Sequence, residues 1–174
     1  MKRFLIVVDM QKDFVDGALG TAEAVAIVPD AVKEIEAFDG DIIATFDTHF
    51  DNYLASAEGK KLPVVHCVKD TPGWQLNQEV AAALNKRGFT PVEKLTFGST
   101  RLPELIAERA AGEDFEIELI GLCTDICVVS NALLLKAHFP EKSISVKASC
   151  CAGVTPQKHE AALETMRSCQ IDII

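Results

Sequence analysis

No apolar run in this chain approaches the ~20 residues that a membrane-spanning helix needs. The run nearest the N-terminus, Phe4-Leu5-Ile6-Val7-Val8, stops at Asp9. It is too short for the apolar core of a secretory leader, so a cytoplasmic protein without membrane partners is expected. No C-x-x-C pair occurs among the six cysteines, Cys67, Cys123, Cys127, Cys150, Cys151 and Cys169. A zinc ribbon or a thioredoxin-type motif is therefore not indicated. The chain is not a small secreted scaffold, so reduced thiols are the expectation. No basic patch offsets the net charge of −9, which argues against a nucleic-acid partner. Internal repeats, low-complexity tracts and domain boundaries are also missing. The 174 residues, 48% hydrophobic and 25% charged, suit one domain over residues 1–174.

The stretch that organises the rest is Phe115 to His138. Phe115 to Ile120, with Leu122, is apolar and suits a strand. Ala132 to Ala137 suits a helix. Between them lies Gly121-Leu122-Cys123-Thr124-Asp125-Ile126-Cys127. A buried strand turning sharply into a helix would put Cys127 in the first helical turn, at N3 if Thr124 is the N-cap. Unpaired N–H groups and the helix dipole favour a thiolate there, and they can hold a developing oxyanion. Cys127 is thus a nucleophile candidate. The competing reading is an inert core thiol, because Cys is among the most buried residue types.

The rest of the chain alternates. Phe4 to Val8 reads as a parallel strand covered on both faces. A helix begins near Pro29, with Val32, Ile35 and Phe38 on one face and Gly40 as its stop. Ile42 to Phe46 is a second strand, ending in Asp47. Thr48 to Gln75 has little periodicity, with a short strand expected near Pro63 to His66. A loop of this length inside a compact domain suggests function. Asn77 to Arg87 reads as a helix with Val80, Ala81 and Leu84 inward and Gly88 at its end. Thr90 to Leu95 is a strand carrying Lys94, and Leu102 to Ala111 is a helix with Pro103 in its first turn. Ser143 to Ala148 is a fifth strand. Thr155-Pro156 starts a last helix reaching about Ser168, and Ile171 to Ile174 is a short final strand.

Alternation at this spacing predicts an α/β fold, a Rossmann-like three-layer sandwich with a six-stranded parallel sheet and helices on both faces. Ligands in such sheets bind beyond the strands' carboxyl ends, near a switch in strand order. Asp9, Asp47, Lys94 and the Cys127 elbow all fall on that rim. Asp9 beside Cys127 could take the thiol proton, and Lys94 could stabilise the thiolate. Separately, a strand-end Asp can simply cap a loop, and Lys94 can be a solvated surface charge. Asp47-Thr48-His49 with His66 forms a second constellation, because residues i and i+2 of an extended chain point the same way. One carboxylate and two imidazoles suit Zn²⁺, Fe²⁺ or Mn²⁺, and Glu58 could add a fourth ligand. The competing reading is a pair of surface histidines. His138 and His159 read as surface or cap residues, and Cys150-Cys151 as packing.

These positions carry a resemblance. Asp9-Met10-Gln11-Lys12-Asp13-Phe14 resembles the D-x-Q-x-D-F start of the isochorismatase-like cysteine hydrolases. Gly121 to Val128 resembles their G-x-x-T-D-x-C-V nucleophile segment, and Glu93 to Ser99 their lysine motif. The resemblance spans almost the whole chain. It implies an Asp9–Lys94–Cys127 triad, a cis peptide between Leu122 and Cys123, and an oxyanion hole from the Cys123 and Cys127 N–H groups.

Asp47-Thr48-His49 and His66-Cys67 are similar to the metal motifs of the nicotinamidase branch. By that likeness the ligands are Asp47, His49 and His66, with Glu58 one residue out of register. Phe14 and Trp74 would flank a substrate ring. Where D-W-H-P and H-C-V-x-G-T are usual, this chain has D-T-H-F and H-C-V-K-D-T, and Lys147 stands where an Asp is common. The resemblance implies a metal-dependent cysteine amidohydrolase, nicotinamidase first, with a small carboxamide as substrate and a homo-oligomer as assembly. Zn²⁺ is the first expectation for the metal, Fe²⁺ or Mn²⁺ the next. The rivals are a hydrolase of N-carbamoyl, ureido or other small amides, and a non-catalytic metal- or thiol-binding member. Hydrolysis of isochorismate itself needs neither the cysteine nor the metal motif.

Overall fold

A computed structural model describes residues 1–174. Six strands form one parallel sheet in the order β3-β2-β1-β4-β5-β6: β1 Lys2–Val8, β2 Asp41–Asp47, β3 Thr90–Lys94, β4 Phe115–Leu122, β5 Ser143–Ala152 and β6 Asp172–Ile173. The central strands are the continuous apolar runs of the sequence. Phe4 to Val8 are wholly buried, as a strand covered on both faces requires. The chain winds outward from β1 to β3 and then returns to lay β4 on the other side of β1. The switch in strand order therefore lies between β1 and β4, where a crevice opens at the carboxyl ends.

Helices α1 (Lys12–Val15), α2 (Ala22–Ala26), α3 (Val28–Ala37) and α5 (Gln78–Arg87) cover one face, and Phe14, Ala24, Ile35 and Leu84 pack there against Leu5, Val7 and Ile120. Helices α6 (Arg101–Ala110), α7 (Val129–His138) and α8 (Pro156–Ser168) cover the other, with Ile106, Leu135 and Met166 against Phe4, Ile6 and Leu119. The ends follow the capping chemistry. Asn77 Oδ1 accepts from Glu79 and Val80 N–H, and Gly88 follows α5 with φ 79°. Thr155 accepts from Lys158 N–H at the start of α8. Such side-chain caps satisfy orphan donors of the first turn.

Four local expectations are corrected. Gly40 does not stop α3, which ends at Ala37 with Phe38 already extended. Its small size is needed elsewhere, since a Cβ there would lie 2.4 Å from the Arg3 carbonyl. In α5 the fully packed alanine is Ala83, and Ala81 is only half-buried. Residues 63–66 form no strand; Pro63 has no N–H for a ladder, and the pairing there is a single bridge between His49 and Val68. The long loop also carries a 3-10 turn, Tyr53–Ala55, and a short helix α4, Ala57–Lys61.

The fourth correction concerns the elbow. Thr124–Val128 is a π turn with Cys123 as its N-cap, so Cys127 occupies its fourth residue instead of N3 of an α-helix. Thr124 makes no cap; its Oγ1 bonds His159 Nδ1 at 2.8 Å. The Leu122–Cys123 peptide is cis.

Candidate active site

The ends of β1, β2, β3 and β4 each deliver one functional side chain to the crevice. Asp9 follows β1, and Thr45 on β2 holds it there: the hydroxyl donates to Asp9 Oδ1 at 2.6 Å. Lys94 closes β3. Its ammonium lies 2.7 Å from Asp9 Oδ2, 3.0 Å from Asp47 Oδ1 and 3.4 Å from Cys127 Sγ. It also donates to the Thr96 carbonyl at 3.2 Å. All four side chains are buried.

Such a cluster shifts its own titrations. Burial pushes the Cys127 thiol well above its ordinary range, and the Asp9 carboxylate adds to that; Lys94 opposes both. Burial likewise raises Asp9, against the pull of Lys94. Burial would lower Lys94, but Asp9, Cys127 and Asp47 together outweigh it and hold the ammonium charged. Asp9 Oδ2 has no hydrogen-bond partner of good geometry, with the Lys94 ammonium 2.7 Å away. One cation therefore bridges a buried carboxylate and a buried thiol, the components of a nucleophile with its base. The Cys123 N–H, four residues before Cys127 and in the same cavity lining, has no backbone acceptor.

The second cluster adjoins the first through Asp47. Its Oδ2 lies 3.0 Å from His49 Nε2 and 3.6 Å from His66 Nε2. Glu58 Oε1 lies 3.7 Å from both imidazole nitrogens. The four ligand atoms are all within 4.8 Å of one another, a donor set of two imidazoles and two carboxylates that fits a divalent transition metal. Burial would raise Asp47, but His49, His66 and Lys94 outweigh it and hold the carboxyl well below its usual range. His66 Nδ1 meets the Val64 carbonyl at 2.7 Å, leaving Nε2 turned to the carboxylates. That is how a ligating imidazole is oriented.

Cys127 of the first cluster and all four side chains of the second line one cavity of about 740 Å³, while Asp9 and Lys94 are not part of its lining. Phe14, Leu122, Cys123 and Cys127 line it, with Asp47, His49, Glu58 and His66 at the polar end. Phe14 meets His66 edge-on at 5.4 Å. Trp74 does not line the cavity. It packs on Phe46 at 5.3 Å, and its indole N–H donates to Thr48 Oγ1 at 3.0 Å. The aromatic in the cavity besides Phe14 is Phe97, from the loop after Lys94. Lys147 also lies elsewhere, paired with Glu34 of α3.

Sequence reasoning passed over several supports. The Gln11 amide donates to the Asp47 and Trp74 carbonyls at 2.9 Å each and accepts from Asp47 N–H at 2.7 Å. Its place in the D-x-Q-x-D-F run was a signal for it. Asp13 in the same run accepts from Cys67 N–H at 2.8 Å, beside His66. Tyr53 packs edge-on against both metal-site histidines, at 4.6 and 5.0 Å. Nothing in its sequence surroundings marks it.

Residues 3–174 match the isochorismatase domain. The chain is similar to the nicotinamidase/pyrazinamidase of Mycobacterium tuberculosis, 26% identical over 187 residues that cover 99% of this chain and 98% of that protein. Its structure resembles the pyrazinamidase of Pyrococcus horikoshii in complex with zinc, with TM-score 0.79, 28% identity and coverage of 100% and 99% of the two chains. It also resembles a nicotinamidase of Bacillus subtilis, with TM-score 0.83, 27% identity and 99% of each chain covered. With a parallel sheet of this order and a match over nearly its whole length, the chain belongs to the isochorismatase family.

Proposed function

We propose that the chain is a cysteine amidohydrolase that uses a divalent metal, with nicotinamide as the first substrate to test. The observation that carries this reading is that Lys94 joins Asp9 to Cys127, whose side chain shares one cavity with a four-ligand set. Relatives of this fold that are named nicotinamidase or pyrazinamidase support the substrate class.

In this reading Asp9 takes the thiol proton, and Cys127 Sγ attacks the carboxamide carbon. Lys94 stabilises the thiolate and keeps Asp9 ionised until the proton moves. The tetrahedral oxygen is held by the Cys123 and Cys127 N–H groups. Protonated Asp9 then gives its proton to the departing amine, the C–N bond breaks, and ammonia leaves a thioester on Cys127. Asp9 next takes a proton from water as it attacks the thioester, the C–S bond breaks to release the acid, and Asp9 returns the proton to the Cys127 thiolate. Asp47, His49, His66 and Glu58 would hold the metal, which when bound supplies Lewis acidity and ordered water beside the substrate. Phe14 would face the ring.

A second reading rests on the cavity lining. At about 740 Å³ the cavity has room for more than a single ring, and the exposed Lys61 and Lys158 line it. Both could meet the carboxylate of an N-carbamoyl or ureido acid, hydrolysed by the same triad. Ammonia release from nicotinamide, with and without chelator and beside Cys127→Ala, tests the first reading. Release that needs both the thiol and the metal supports it. No release from a protein with stoichiometric metal and a reactive Cys127 rejects nicotinamide and turns to ureido acids.

A further inference from the structure

Asn131 lies in the first turn of α7 and is wholly buried. A buried primary amide is costly unless its polar atoms find partners. Here they do, and the partners lie on two different segments. Oδ1 accepts from the Ser99 N–H at 2.8 Å. Nδ2 donates to the Phe97 carbonyl at 3.1 Å and to the Cys127 carbonyl at 2.8 Å. One side chain therefore joins the nucleophile's own peptide to the loop that leaves Lys94.

That loop is short and closely seated. Lys94 donates to Thr96 O, the next residue is Phe97, and Gly98 rests on α7, where an added Cβ would meet the Ser130 carbonyl at 3.4 Å. Leu95, Thr96 and Phe97 line the cavity, and Leu95 is 69% and Phe97 41% exposed. Their side chains thus add little packing to fix the loop, and the backbone bonds to Asn131 take that role. The neighbouring Ser130 shows the contrast. Its hydroxyl bonds back only to Ile126 O, at 2.6 Å within its own helical end.

We infer that Asn131 is a positioning residue for the Cys127–Lys94 pair, fixing the nucleophile turn against the 97–99 loop through three hydrogen bonds from one amide. It touches neither substrate nor reacting atoms. It sets the register in which the 3.4 Å contact between Lys94 Nζ and Cys127 Sγ is made. The inference rests on the Cys127 nucleophile of the proposed function, but not on the identity of the substrate.

Two variants test it. Asn131→Ser leaves a hydroxyl able to bond back to the Cys127 carbonyl, as Ser130 does to Ile126, but too short for the loop. Asn131→Asp keeps the acceptor for Ser99 N–H and loses both donors. The first readout is the rate of Cys127 alkylation by iodoacetamide, measured by mass spectrometry on protein whose melting temperature is recorded alongside. We expect a fall of about 10- to 100-fold in the folded variants, the scale of a small misplacement of reacting groups. With an amide that the wild type hydrolyses, kcat should fall by a similar factor and KM by less. If Asn131→Asp fails to fold, Asn131→Ser decides. Folded variants that alkylate at the wild-type rate within twofold, or faster, overturn the inference. Wild-type alkylation confined to the other cysteines would instead reject the nucleophile reading itself.

Discussion

Lys94 is the cation on which Asp9, Asp47 and Cys127 converge, and it has no replacement nearby. Removing one partner of a buried ionic group leaves uncompensated charge, at a cost of about 3–5 kcal/mol. Lys94→Met should therefore destabilise the metal-free protein by about that much at neutral pH, read by urea unfolding. The loss should shrink on acidification, because Asp9, already raised by burial, takes up a proton once its counter-ion is gone. A loss under about 1 kcal/mol at neutral pH would mean that the buried pairing carries little stability.

The metal ligands make a separable prediction. His49→Ala and His66→Ala each remove a donor whose nitrogen lies within 3.6 Å of Asp47 Oδ2. Both should purify with far less metal than wild type, measured by plasma mass spectrometry. Glu58 is the most exposed of the four side chains, so Glu58→Gln should weaken binding by a smaller factor. Full occupancy in His49→Ala would remove that histidine from the ligand set.

At the scale of elements, β4 lies beside β1 at one residue whose backbone leaves no room for a side chain. Gly121 sits at φ 119°, where an added Cβ would lie 2.1 Å from the Val8 carbonyl. Gly121→Ala combines a strained backbone with a clash against β1 and should cost more than about 2 kcal/mol. A variant with wild-type melting behaviour would show that the backbone at this position relaxes at little cost.

Much of this frame is legible in the sequence, because its signals are strong and local. Phe4 to Val8 and Phe115 to Ile120 are unbroken apolar runs, Asn77 and Thr155 are helix caps, and the strand-end aspartates mark the rim. What is not legible depends on distance. Helices α1, α2 and α4, at four or five residues each, are shorter than the window in which a 3.6-residue period shows. Between the Leu119–Val146 and Gly121–Cys151 pairs β5 carries more residues than β4, an irregularity with no local mark. Thr124 has the chemistry of an N-cap, yet its hydroxyl is taken by His159, which lies 35 positions away. Motif likeness sets Trp74 against a substrate ring, whereas its indole N–H donates to Thr48 Oγ1.

For the molecule as a whole, the pH dependence of stability divides between groups of opposite sign. Asp47 is held low by its partners, so its contribution is present above the ordinary carboxyl range and fades as pH falls. Glu118 is the opposite case. It is buried in β4, away from the cavity, with Oε1 lacking a partner. Burial raises its carboxyl and the facing Glu34 adds to that, while Lys147 and Arg3 pull the other way. A raised folded-state value favours the neutral acid. Its contribution is complete below the unfolded carboxyl range, near pH ~4.3, and is lost as pH rises through the folded value. Lys147 is already paired with Glu34, so it cannot fully neutralise a second carboxylate. Glu118→Gln keeps the size and removes the ionisation. Its melting temperature should match wild type near pH ~4 and exceed it near pH ~8, where the native carboxyl would have to ionise or hold its proton against solvent. The comparison with wild type cancels the shared contributions of Asp47, Asp9 and Cys127. Parallel melting curves across that range would show that Glu118 ionises in the folded protein as easily as in the unfolded chain.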